Sequence, residues 1–159
     1  NSKLNWIGEM EYPGHKYIGI KRTTSIDDMP ITMQKDFERL IEYAISEPEC
    51  NIEESFSQYH KFDFVKKISS FTSGIPIKNV PSNLPKEFFV GEIPNTKIYR
   101  LEHVGPYEHL GNAWTTLYMM HRNKEFKLRK GIDPFETYGN SPKNTAPKDL
   151  ISYINFAIK

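Results

Sequence analysis

The chain runs twice through one pattern: a strand, an amphipathic helix, then two further strands. That repeat restricts the fold more than any single motif. Each copy carries one apolar helix face, and such a face is buried by packing on a sheet. In the first copy, Tyr17 to Thr23 reads as a strand, entered after the turn signal Pro13-Gly14. Asp27-Asp28-Met29-Pro30 reads as a helix entry, with acids near the positive end of the helix dipole. Met33, Phe37, Leu40, Ile41, Ala44 and Ile45 recur at helical spacing, and Pro48 ends the run. Ser57 to Val65 and Ile68 to Ile77 read as strands, with Tyr59, Lys61 and Asp63 assigned to one face of the former.

The second copy starts at Lys97. Up to Val104, Ile98, Arg100 and Glu102 alternate with Tyr99, Leu101 and His103. After Gly105-Pro106-Tyr107, a helix carries Leu110, Ala113, Trp114, Leu117 and His121 as its buried stripe, with Tyr118 beside it. Phe135-Glu136-Thr137-Tyr138 reads as a strand bounded by Pro134 and the turn Gly139-Asn140, and Leu150 to Ile158 as the last one. The copies span about 11–78 and 97–159 of a single domain, 1–159. The proline-punctuated segment 79–96 connects them and holds Phe88-Phe89-Val90 as a short strand. The expected fold is therefore α+β: two βαββ units whose helix faces pack on a shared antiparallel sheet, leaving the other sheet face to line a groove.

Charge and composition narrow the function. There are 21 basic and 20 acidic residues spread along the chain, so no basic stripe marks a nucleic-acid surface. The single cysteine, Cys50, excludes an internal disulfide and fits the reducing cytoplasm. No apolar run approaches a membrane span. The five histidines, His15, His60, His103, His109 and His121, are scattered without metal-ligand spacing, so no metal site is expected. Cys50 lies in an acidic loop that disfavours a thiolate, and no serine elbow or phosphate-cradling glycine loop is present. No cofactor is expected.

What remains is a carboxylate among aromatics: Glu136 with Tyr138, Tyr107, Trp114, Tyr59 and Tyr153. Glu136 and Tyr138 share one strand face, while Phe135 and Thr137 share the other. Such a face is either solvated surface or the floor of a pocket for a cationic or polarisable ligand. Likewise, Trp114 reads as core or as pocket wall, and Tyr107 as a contact at the helix start or as a ligand contact. Tyr138 is matched in the first copy by Tyr59, but Glu136 is matched by Ser57, so the acid is asymmetric.

His103-Val104-Gly105-Pro106-Tyr107, Ala113-Trp114, and Phe135-Glu136-Thr137-Tyr138 with Ser141-Pro142, in this order and spacing, resemble the GyrI-like effector-binding domain. The likeness runs from about Glu11 to Lys159. That family includes gyrase inhibitory protein and the ligand domains of AraC-type and MerR-type transcription regulators. The resemblance implies a curved antiparallel sheet of duplicated βαββ units, with two helices behind it and a ligand groove in front. It also implies a lipophilic, often cationic, small-molecule ligand whose charge meets Glu136. The last strand departs from the family pattern, with Tyr153 in place of an acid and Ala157 in place of a proline. That departure predicts a groove with one carboxylate fewer, more aromatic and better suited to neutral ligands.

Three functions follow as expectations. The first is a ligand-sensing domain linked to transcription regulation, its DNA reader lying before Asn1 or on a partner protein. The second, also from the resemblance, is a stand-alone hydrolase acting on a reactive small molecule, with Glu136 as general acid or base and Tyr138 or Tyr107 donating a hydrogen bond. The third is a protein-binding module that offers the groove or a sheet edge to a partner.

Overall fold

The computed structural model describes residues 2–159. Its elements are β1 (Lys3–Tyr12), β2 (His15–Ser25), α1 (Met29–Ala44), β3 (Phe56–Asp63), β4 (Ile68–Ile77), β5 (Phe89–Ile93), β6 (Thr96–Val104), α2 (Leu110–Arg122), β7 (Phe135–Tyr138) and β8 (Ile151–Ile158). The class is α+β, antiparallel throughout the paired strands described below. Two compact units divide the chain: unit 2 is Gly14–Pro94, and unit 1 joins the residues up to Pro13 with Asn95–Lys159.

In unit 2 the strands lie in the order β3-β4-β2-β5, each pair antiparallel. Ile18 pairs with Ile75, and Ile20 with Ser73, so alternation sends Ile18, Ile20, Ile75 and Ile77 to one face. There they meet Leu40 and Ala44 of α1 and form the unit's core. A charged link crosses this layer: the Arg22 guanidinium donates from Nε and Nη2 to the Asp36 carboxylate at 2.9–3.2 Å. Asp36 is buried on α1, and this two-pronged bond offsets the cost of burying its charge.

β3 carries a bulge, because the register shifts between Tyr59 and Lys61. Tyr59 faces Phe71 and Lys61 faces Ser70, so the two side chains emerge on opposite faces. The single-face assignment of Tyr59, Lys61 and Asp63 is thereby corrected: an extra residue breaks the period of two. Near the start of the strand, buried Phe56 lies across from Gly74. A Cβ at Gly74 would come within 2.4 Å of the Phe56 ring.

In unit 1 the order is β1-β6-β8-β7. Residues 1–16 read as polar with a turn, and no strand is expected there. β1 is nonetheless an edge strand of exposed and half-buried side chains, and its alternation was available in the sequence: Leu4, Trp6, Met10 and Tyr12 alternate with Lys3, Asn5, Glu9 and Glu11. A register shift between Trp6 and Gly8 interrupts it, with Gly8 at φ +87°. Leu101, Ile154, Phe156 and Ile158 lie on the face covered by α2, against Leu110, Ala113, Leu117 and Met120.

The register of β7 on β8 pairs Glu136 with Ile154 and Tyr138 with Ser152. Glu136 and Tyr138 therefore share a face with Ile154, which is the face that α2 covers. The sheet and helices agree with the expected class. The face of the glutamate differs from the groove expected away from the helices. The reason is register, which fixes side-chain direction residue by residue.

The row Tyr138–Ser152 continues onto His103 of β6. His103 is 0% exposed, and neither ring nitrogen has a hydrogen-bond partner among the described residues. Burial, then the neighbouring His109, lowers its pKa below 6.5.

Two outcomes are expected. Gly74→Ala should destabilise the fold by about 1–3 kcal/mol in urea unfolding, because the Phe56 ring has to move. The unfolded chain takes up the His103 proton before the folded one does, so this residue costs stability as pH falls below 6.5. Melting temperatures across that range should fall less steeply in His103→Phe than in wild type.

Candidate functional site

Glu136 is a charged residue that is 3% exposed. The structure gives each of its carboxylate oxygens a neutral aromatic donor. The Trp114 indole Nε1–H donates to Oε2 at 2.6 Å, and the Tyr138 hydroxyl donates to Oε1 at 2.8 Å. Trp114 comes from the first half of α2, and Tyr138 from the same strand two residues on. Hydrogen bonds to a carboxylate are stronger than neutral ones, worth about 1.5–3 kcal/mol each, and they oppose the desolvation of Glu136.

Aromatic rings extend the cluster on both sides. Tyr107, in the single 3-10 turn before α2, sits with its ring 5.8 Å from that of Tyr138. Its hydroxyl pKa is raised by burial and then by the charge of Glu136. Trp114 packs 5.6 Å from Phe156, and Tyr118, one helical turn on, 5.1 Å from the same ring. Burial, then Asp133, raises the Tyr118 hydroxyl as well. Tyr107 remains 36% exposed and Tyr118 47%, so the cluster has solvent-facing rings around a buried charge.

Four of the six expected site residues thus come together in unit 1: Glu136, Tyr138, Tyr107 and Trp114. Tyr153 does not join them. It pairs with Thr137 and Glu102, on the opposite face from Glu136, where the Arg100 guanidinium lies 4.6 Å from its ring centre. Its replacement of an acid leaves the Glu136 cluster unchanged, which removes the argument for neutral ligands drawn from that position. Tyr59 belongs to unit 2, on β3, with its ring 6.0 Å from Phe62. Ser57, the counterpart of Glu136, donates its hydroxyl to the Met33 sulfur at 3.3 Å. Phe156 and Tyr118 were not singled out as site residues. Their signals were available: Phe156 lies two residues after Ile154 and so on the same strand face, and Tyr118 lies four residues after Trp114.

Among the described residues, no group of three or more His, Cys, Asp or Glu side chains converges as a metal site would require. Cys50 keeps its proton more tightly than usual, because burial and then Glu47 and Glu49 raise its pKa. No described helix is long and apolar enough to cross a membrane.

A buried acid ringed by aromatics thus lies on an α+β scaffold of antiparallel strands and one covering helix. Residues 10–159 match the GyrI-like small molecule binding domain, and the chain belongs to that family. No curated protein matches it. Among solved structures, the EcmrR C-terminal domain is similar at 17% identity and TM-score 0.76, covering 100% of this chain and 97% of that one. EcmrR in an EcmrR–DNA complex is similar at 17% identity and TM-score 0.78; 99% of this chain is covered, but only 57% of that one, so this chain spans little more than half its length. SAV2435, solved bound to tetraphenylphosphonium, is similar at 14% identity and TM-score 0.70, with 100% and 94% covered.

Replacing Glu136 with Gln removes the charge and keeps the shape. The second cause of the raised Tyr107 pKa then disappears. In an ultraviolet titration of the tyrosines, one hydroxyl should ionise at lower pH in E136Q than in wild type.

Proposed function

We propose that the Glu136 cluster binds a lipophilic, cationic small molecule, and that the chain senses that molecule. The observation that carries this reading is a nearly fully buried carboxylate held by two neutral aromatic donors. Neither donor carries a charge, and the acid lies among aromatic faces, which attract cations. A lipophilic cation gains from both.

The geometry also favours one kind of cation. Each carboxylate oxygen already accepts one hydrogen bond, which leaves a ligand's own N–H donors only the remaining lone pairs of a side chain that is 3% exposed. A cation without donors, such as a quaternary ammonium or phosphonium, needs only the charge and the rings. The tetraphenylphosphonium bound to SAV2435, a protein of similar fold, has that chemistry. The hydrolase alternative has less behind it. A general base needs a water against its carboxylate, and Glu136 is 3% exposed. Two similar structures from Listeria innocua are described as hydrolases, at 8–9% identity and TM-scores of 0.56 and 0.54, a likeness of fold alone.

We further propose that binding is read out in transcription, through a DNA-reading part outside these residues. EcmrR, whose C-terminal domain has a similar fold, forms a complex with DNA.

Thermal unfolding with tetraphenylphosphonium, and with neutral triphenylphosphine oxide, tests the binding reading. Wild type should melt higher with the cation; at a concentration a hundred times the dissociation constant the gain is about 2.7 kcal/mol. E136Q should lose most of that response. Equal stabilisation of both proteins, or by both compounds, would remove the charge of Glu136 from recognition.

A further inference from the structure

The hairpin joining β3 to β4 holds apolar side chains out in water. Phe64 is 77% exposed and Val65 94%, and the Phe62 ring stacks on Phe64 at 5.8 Å with 19° between planes. The tip has a defined backbone. Asp63 Oδ1 accepts the backbone N–H of both Val65 (3.1 Å) and Lys66 (3.0 Å). Lys67 closes the turn in the left-handed region at φ +57°, and its carbonyl accepts the Ile26 N–H at 2.9 Å. A built turn therefore presents Phe64 and Val65 outward.

Lysines surround them. Lys61, Lys66 and Lys67 are all exposed; within the hairpin the one acid is Asp63, whose Oδ1 is occupied by the turn, while Asp27 and Asp28 follow Ile26 at its base. The fold does not require this composition. At the same place in unit 1, between β7 and β8, the segment Gly139-Asn140-Ser141-Pro142-Lys143-Asn144 is polar and has no aromatic residue.

We propose that this tip docks on an anionic lipid surface. Phe64 and Val65 would enter the interface, and the three lysines would lie at the level of the headgroups. A hairpin tip suits a bilayer because only its end needs to be covered. A stable protein interface needs about 800 Å² from each partner, far more than two side chains and a stacked ring supply. The lysines match the sign of anionic headgroups.

Co-sedimentation of the full chain with vesicles tests this. One set is phosphatidylcholine alone, and the other equal parts phosphatidylcholine and phosphatidylglycerol. Binding to the mixed vesicles is expected, with little to the neutral ones. Affinity should fall about fivefold for each of Lys61, Lys66 and Lys67 replaced by Gln. The double variant Phe64→Ser, Val65→Ser should lose at least about tenfold. These positions are exposed, so an unchanged melting temperature marks the variants as folded. Absence of wild-type binding to the mixed vesicles, or equal binding by the folded double variant, overturns the proposal. So does sedimentation velocity showing wild-type self-association that the double variant lacks, which would assign the tip to a second copy of the chain.

Discussion

Four residues of β7 hold the candidate site to one register. Glu136 opposite Ile154 points at α2; a slip of one residue would send Phe135 and Thr137 there instead and turn the carboxylate away from Trp114. The pins against that slip are on the far face. The Asn155 amide donates to the Phe135 carbonyl at 3.1 Å and to the Thr137 hydroxyl at 3.2 Å. Asn155 is itself oriented by Arg100, whose Nε donates to its Oδ1 at 2.7 Å. Phe135 packs edge-on against Tyr12 at 4.8 Å. At the end of the strand, Asn140 accepts the Ile151 N–H and donates to the Asp149 carbonyl, closing the connection to β8. The face without the glutamate thus decides where the glutamate goes.

Each unit solves the polar part of its layer differently. Unit 2 links sheet to helix with a charged pair, Arg22 and Asp36, whose charges cancel within the protein. Unit 1 links them through the Trp114 indole and the Glu136 carboxylate, a neutral donor to an acid. A buried acid costs stability to hold, and such a cost is often found at functional sites. The same pseudo-repeat position holds Ser57 in unit 2, so the architecture itself does not call for an acid there.

Much of this was legible in the sequence. Strong periodicity located both helices and β4, β6 and β8, and the strand of Glu136 was marked by its proline and its Gly-Asn turn. Strand alternation, a local rule, put Glu136 and Tyr138 on one face; Tyr107 and Trp114 were named with them among six residues, and their approach to that face is set by tertiary packing. What was not legible depended on pairing. β1 was missed although Leu4, Trp6, Met10 and Tyr12 alternate with polar residues; only the register shift after Trp6, which sends the two pairs to opposite faces, depended on pairing. The bulge beside His60 sent Lys61 across the sheet from Tyr59, and no residue type announces such an insertion. Tyr153 was grouped with the acid by its family position, yet its partners across the sheet, Thr137 and Glu102, put it on the other face.

β1 also has a consequence for how the chain is made. Tyr12 pairs with Thr96, and all of unit 2 lies between them. During synthesis the first strand leaves the ribosome with no partner, while Gly14–Pro94 is contiguous and can fold as it emerges. At ordinary elongation rates the wait for β6 lasts on the order of several seconds. For that time an extended segment with Trp6 and Ile7 stays unpaired. Lys3, Asn5, Glu9 and Glu11, set between the apolar residues of β1, are spaced along that waiting strand as guards against pairing with another chain.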